Sequence, residues 1–146
     1  MSAYLIAVDD TMFTDPTLDD FADRLDDSIE QSLRAAGLAV RGIQSNAILR
    51  SALDTTPALF AEFDAIHRQF AIGVDNVLSQ LDRAIQKSKL DRSEVRAITQ
   101  EKLEKYREQI KDIFRPNVAS DALGSQRRSI AKQELPKLDK LLVDRI

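Results

Sequence analysis

The chain has no cysteine and no tryptophan among its 146 residues. Without thiols there is no disulfide scaffold, no thiolate nucleophile and no thiolate metal site, although the compartment stays open. Histidine occurs once, as His67. Aromatic residues make up 5% of the chain, and none is interleaved with the basic groups, so a base-stacking surface is not expected. No apolar run approaches the roughly 18 residues of a membrane-spanning helix. Tyr4-Leu5-Ile6-Ala7-Val8 is too short to span a bilayer and has no basic segment before it, so no signal peptide is expected. Cytoplasmic residence without membrane attachment is the resulting expectation. No Gly-rich loop follows a strand, so no phosphate cradle of that kind is visible.

Glycine and proline occur four times each and act as punctuation. Pro16, Gly37, Gly42, Pro57, Pro116, Gly124 and Pro136 mark expected element ends. The remainder is 43% hydrophobic and 31% charged, the balance of a helical chain with a core rather than of a disordered one. The charge is unevenly placed. Residues 1–30 hold nine acids and one base, Arg24, a charge of −8, which leaves +5 for the rest of a chain whose total is −3.

The longest periodic stretch runs from Thr56 to Lys89. Apolar residues fall at Leu59, Phe63, Ile66, Phe70, Val74, Val77, Leu81 and Ile85, a mean of about 3.7 residues per turn, as in a straight helix rather than a heptad coiled coil. Thr56 is the expected cap, Pro57 suits the first turn, and Glu62 suits the positive end of the helix dipole. Phe70-Ala71-Ile72-Gly73-Val74 is apolar all round, which requires cover on more than one side. Gly73 is expected where a neighbouring helix approaches closely.

Before this stretch, residues 1–15 read as an N-terminal arm that docks on its own bundle or on a neighbour. A helix is expected from Pro16 to Ala36, capped by Asp15 or Thr17 and stopped at Gly37. A weaker helix is expected over 38–55. After the central stretch, Asp91-Arg92-Ser93-Glu94 reads as a capping box, and a helix carrying Val95, Ile98, Leu103, Tyr106, Ile110, Ile113 and Phe114 follows up to Arg115-Pro116. The short connection makes these two helices antiparallel neighbours. Residues 117–125 read as a loop. A last helix starts near Gln126 and is kinked or broken at Pro136. The expected fold is therefore all-α: one domain over 1–146, an up-and-down helical bundle of four to five helices with a long central antiparallel helix pair.

Chemistry is sparse. Asp64-x-x-His67 has the spacing of one half of a bundle di-iron site, but such sites need the motif twice. His67 is expected to be a packed structural residue, with no metal, no cofactor and no enzyme activity. The leading expectation is a non-enzymatic assembly subunit that self-associates through Phe70, Ile72, Val74, Leu138, Leu141, Leu142 and Ile146, because one small bundle does not obviously cover both apolar regions. An alternative is a nucleic-acid-binding subunit using Arg83, Lys87, Lys89, Arg92, Arg96, Arg127, Arg128 and Lys132 on phosphates. A third is an inhibitor that offers Asp19, Asp20, Asp23, Asp26, Asp27 and Glu30 to a basic protein partner.

Overall fold

The computed structural model describes residues 17–49, 55–114 and 121–146. Expectations for the arm at 1–15, the chain end of the second helix at 50–54 and the Arg115-Pro116 stop lie outside these residues. The described residues form five helical segments and no strand: α1 Leu18–Leu49, α2 Thr56–Lys87, α3 Arg92–Phe114, α4 Asp121–Glu134 and α5 Pro136–Arg145.

α1 opens with a reciprocal cap. The Thr17 backbone N–H donates to Asp20 Oδ2 at 3.0 Å, and the Asp20 N–H donates to Thr17 Oγ1 at 3.1 Å. This is a capping box with aspartate in the acidic position. The backbone and side-chain hydrogen bonds from Thr17 hold the Asp20 carboxyl below its ordinary range. The break expected at Gly37 does not occur, and the two helices expected over 16–36 and 38–55 are one. The buried residues Phe21, Leu25, Ile29, Ser32, Ala36, Val40 and Ala47 stay in helical phase past both Gly37 and Gly42. Packing on that stripe outweighs the roughly 1 kcal/mol that each glycine costs in a helix interior. At 32 residues, α1 extends roughly 48 Å.

α2 is equally long; its N-cap position is Thr55, one residue earlier than expected, where the carbonyl accepts from Leu59 N–H but the side chain makes no capping hydrogen bond, and Pro57 lies in the first turn. At its other end Ser88 turns the chain: its N–H and Oγ both donate to the Ala84 carbonyl, at 3.1 and 2.6 Å, and Leu90 N–H donates to Ser88 Oγ at 3.3 Å. α3 starts directly after Asp91, whose carbonyl accepts from Val95 N–H at 3.0 Å. α4 starts at Asp121, inside the expected loop. Leu135 keeps right-handed helical geometry, and its N–H reaches the Ala131 carbonyl at 2.9 Å. Pro136 therefore interrupts the hydrogen-bond ladder without ending the helical path, and α4 and α5 act as one kinked helix.

The chain runs up, down, up and down. Ser28 meets Gln80 and Gln44 meets Glu62, so α1 and α2 are antiparallel. Asp26 pairs with Lys102 at 2.8 Å and Ser32 meets Tyr106 further along both helices, so α1 and α3 run the same way. Arg127 meets Glu62, Lys111 meets Asp139 and Arg145 meets Asp75, which lays α4–α5 between α2 and α3. The bundle is the expected one, with a shift in its centre: α1 packs on α2 more extensively than α3 does.

Three helices meet at a buried polar knot. Ser32 of α1 and Tyr106 of α3 hydrogen-bond to each other. Both also lie within hydrogen-bonding distance of the Gln69 carbonyl of α2, at 3.2 and 3.3 Å, so one hydroxyl donates to the other and the second donates to the carbonyl. The Phe70 ring lies 4.9 Å from the Tyr106 ring. Gly73 makes room for this: a Cβ there would lie 2.5 Å from Ser32 Oγ, 2.8 Å from Tyr106 Cζ and closer still to Tyr106 Oη. The close helix approach expected at Gly73 is present. Because these hydroxyls satisfy one another only in one register, the knot fixes how three helices slide past each other.

Burial pushes the Tyr106 phenol up to about 12 from the usual 10.0, partly opposed by the Ser32 hydrogen bond. The raised value favours the neutral phenol in the folded state. That contribution is complete below pH 10 and is lost as pH rises from 10 to about 12. In a Tyr4→Phe background, which leaves Tyr106 as the single tyrosine, phenolate absorbance is expected to appear well above pH 10 or together with unfolding. A midpoint near 10 in the folded protein would refute the burial argument.

Candidate functional site

Five of the seven residues expected to mediate self-association are used inside the chain. Phe70, Val74 and Leu138 are fully buried, and Leu141 and Leu142 nearly so. The chain's own helices cover both apolar regions, so these five side chains are core. Ile72 and Ile146 remain on the surface, 48% and 64% exposed.

The basic residues are dispersed rather than gathered on one track. Arg127 is drawn inward. Its Nη1 and Nη2 donate to Glu62 Oε1 and Oε2, both at 3.0 Å. Its guanidinium lies 5.2 Å from the Phe114 ring centre, and Nη1 also donates to the Phe114 carbonyl at 3.3 Å. Gln44 completes the Glu62 carboxylate at 3.0 Å. Glu62 is fully buried and Arg127 largely so. This pair ties α4 to α2, which is a structural task, so Arg127 leaves the nucleic-acid set. Arg128 and Lys132 line a hollow beside α5 with Lys111 and Asp139. Arg96 faces a different groove, between α2 and α3, with Leu78, Asp82 and Arg145. Lys89 and Arg92 are exposed on the α2–α3 turn.

Arg83 and Lys87 line a third groove, of about 560 Å³, together with Arg24 and Ser28 of α1. They stand four residues apart on one face of α2, as Arg24 and Ser28 do on α1. Arg24 attracts no notice in the sequence because acids surround it there. Only the antiparallel packing of α1 on α2 brings it beside Arg83 and Lys87.

The acidic residues of α1 are all exposed, but half have local employment. Asp20 caps the helix, Asp26 pairs with Lys102 at 2.8 Å, and Glu30 pairs with Arg34 at 2.9 Å. Asp19, Asp23 and Asp27 are left facing solvent. His67 lies 5.9 Å from the Phe63 ring, and burial pushes its imidazole below the usual range against the opposing pull of Asp64. Among the described residues, no group of three or more histidine or carboxylate side chains is placed to hold a metal ion. None of the described helices is long and apolar enough to cross a membrane.

No family model, curated protein or solved structure matches the chain.

What remains is an apolar surface that sequence periodicity passes over. Leu38, Ile48 and Leu49 are 60%, 59% and 85% exposed on the last turns of α1. Leu38, Gly42, Ser45 and Leu49 follow one another at intervals of four, three and four residues, so they share one face. Ile48 and Arg41 border it. The opposite face carries the buried Ala36, Val40 and Ala47. Gly42 has open space where a Cβ would be. Packing within the chain therefore gives no reason for glycine at 42, in contrast to Gly73.

Proposed function

We propose that this protein is a non-enzymatic assembly module that pairs with a second copy of itself through the outer face of α1. The supporting observation is the exposed stripe Leu38-Gly42-Ser45-Leu49. Its order is large, small, small, large, and its spacing reads the same in both directions. Two such stripes laid antiparallel about a two-fold axis place Leu38 of one copy against Leu49 of the other. Gly42 then faces Ser45, where small side chains let the helices come close. An isologous contact needs this kind of self-complementarity. Removing exposed leucine and isoleucine from water drives the association, and Arg41 at the border leaves no large like-charge field to oppose it.

A contact of about three helical turns from each copy lies at the small end of specific interfaces, so the dimer dissociates on the order of micromolar concentrations. Light-scattering mass during size exclusion, over a dilution series spanning that range, is expected to move from dimer to monomer. The Leu38→Glu/Leu49→Glu variant is expected to remain monomeric at every concentration with unchanged helical circular dichroism, because both positions point away from the core. A wild-type protein that is monomeric throughout would refute the proposal.

A further inference from the structure

The groove between α1 and α2 carries a second, independent reading. Its wall holds Arg24, Arg83 and Lys87 and no carboxylate. Arg83 and Lys87 make no ion pair with a described residue, and Arg24 interacts only at longer range with Asp20 one turn away, whereas Lys102, Arg107, Lys111, Arg127 and Arg145 are each engaged by an acid at close range. Hydroxyl and amide groups of Ser28, Ser79 and Gln80 stand between the cations, and Phe21 forms an apolar floor. Gln80 is already oriented by donating to Ser28 Oγ at 2.5 Å.

We infer that this groove binds a compact phosphate chain carrying several negative charges, the chemistry shared by inorganic polyphosphate and a nucleoside triphosphate. Two guanidinium groups offer paired donors that match phosphate oxygens, and Lys87 adds a mobile point charge. A volume of about 560 Å³ admits a ligand of nucleotide size. A nucleic-acid polymer fits less well. Arg96, Arg128 and Lys132 open onto other grooves, and the exposed Asp23 and Asp27 flank Arg24 on α1, so the basic surface beyond the groove is limited to Lys89 and Arg92 on the adjoining turn.

The test is calorimetric titration of the full chain at low salt with tripolyphosphate, with ATP and with a single-stranded oligonucleotide. Saturable one-to-one binding of tripolyphosphate is expected. Arg83→Gln and Arg24→Gln should each weaken it about tenfold, the size of one charge-assisted hydrogen bond. Arg92→Gln, on the neighbouring turn but outside the groove, should leave it unchanged. All three positions are exposed, and circular dichroism confirms that each variant is folded. ATP binding more tightly than tripolyphosphate assigns the floor at Phe21 to the rest of the nucleotide, and equal binding assigns the phosphate chain alone. Absence of saturable binding overturns the inference. So does affinity for the oligonucleotide alone, or a loss in Arg92→Gln equal to that in Arg83→Gln.

Discussion

Gly73→Ala is expected to destabilise the protein by about 1–2 kcal/mol, although alanine is the better helix former. The helix-propensity gain of roughly 1 kcal/mol is outweighed, because the added Cβ lands on the Ser32–Tyr106 hydroxyl pair. Either the hydroxyls separate and lose hydrogen bonds of about 1 kcal/mol each, or α2 backs away from α1 and α3 and loses packing worth about 1–3 kcal/mol. Gly37→Ala is the control within the same fold. Nothing lies within 4 Å of its missing Cβ, so it should stabilise by about 0.5–1 kcal/mol. At this chain length the two melting temperatures should move in opposite directions, by roughly 2–8 °C down and 1–4 °C up. Thermal melts followed by circular dichroism read both. Equal shifts of one sign would mean that α2 does not approach its neighbours as closely at Gly73 as the knot requires.

The second large effect is at Glu62 and Arg127. Replacing Arg127 by leucine leaves the fully buried Glu62 carboxylate with only the Gln44 amide, and an unpaired buried charge costs about 3–5 kcal/mol. Glu62→Leu alone should cost less, because the guanidinium keeps its place over Phe114, its hydrogen bond to the Phe114 carbonyl and some contact with solvent. The double variant Glu62→Leu/Arg127→Leu removes both charges and is expected to recover most of the loss, since apolar replacement of a buried pair is often neutral or better. Denaturant titration of the four proteins yields the coupling directly. Additive losses would mean that the two side chains do not act as a pair.

Local patterns make most of the bundle legible. The apolar positions of α2 and α3 recur at helical spacing, and most of them become buried, with Leu81, Ile85, Ile98 and Ile113 partly so. Gly73 is also readable, because a glycine inside an apolar helical run marks the point where a neighbouring helix comes close. The break expected at Gly37 fails for a physical reason. A glycine signals a stop only when packing does not continue beyond it, and Val40 and Ala47 continue the stripe. Glu62 and Arg127 escape sequence reasoning for the opposite reason. Each looks like an ordinary surface charge from its neighbours, and 65 residues separate the partners. Arg24 shows the same limit, since its local surroundings are acidic and its groove partners lie on another helix. Short-range periodicity reports which face is buried. It does not report which charges meet across helices, nor which apolar side chains, such as Leu38 and Leu49, the fold leaves uncovered.

The missing cysteines supply the most direct test of the central claim, that two copies pair antiparallel through α1. A single cysteine introduced as Ser45→Cys lies next to the proposed two-fold axis, on an exposed helical position. One introduced as Lys105→Cys lies on α3, equally exposed and away from that face. At concentrations where the wild type is dimeric, a short thiol-specific cross-linker should join Ser45→Cys into a covalent dimer and leave Lys105→Cys monomeric. Adding Leu38→Glu and Leu49→Glu should abolish the product. Equal cross-linking at both positions, or none at Ser45→Cys, would contradict the proposed interface.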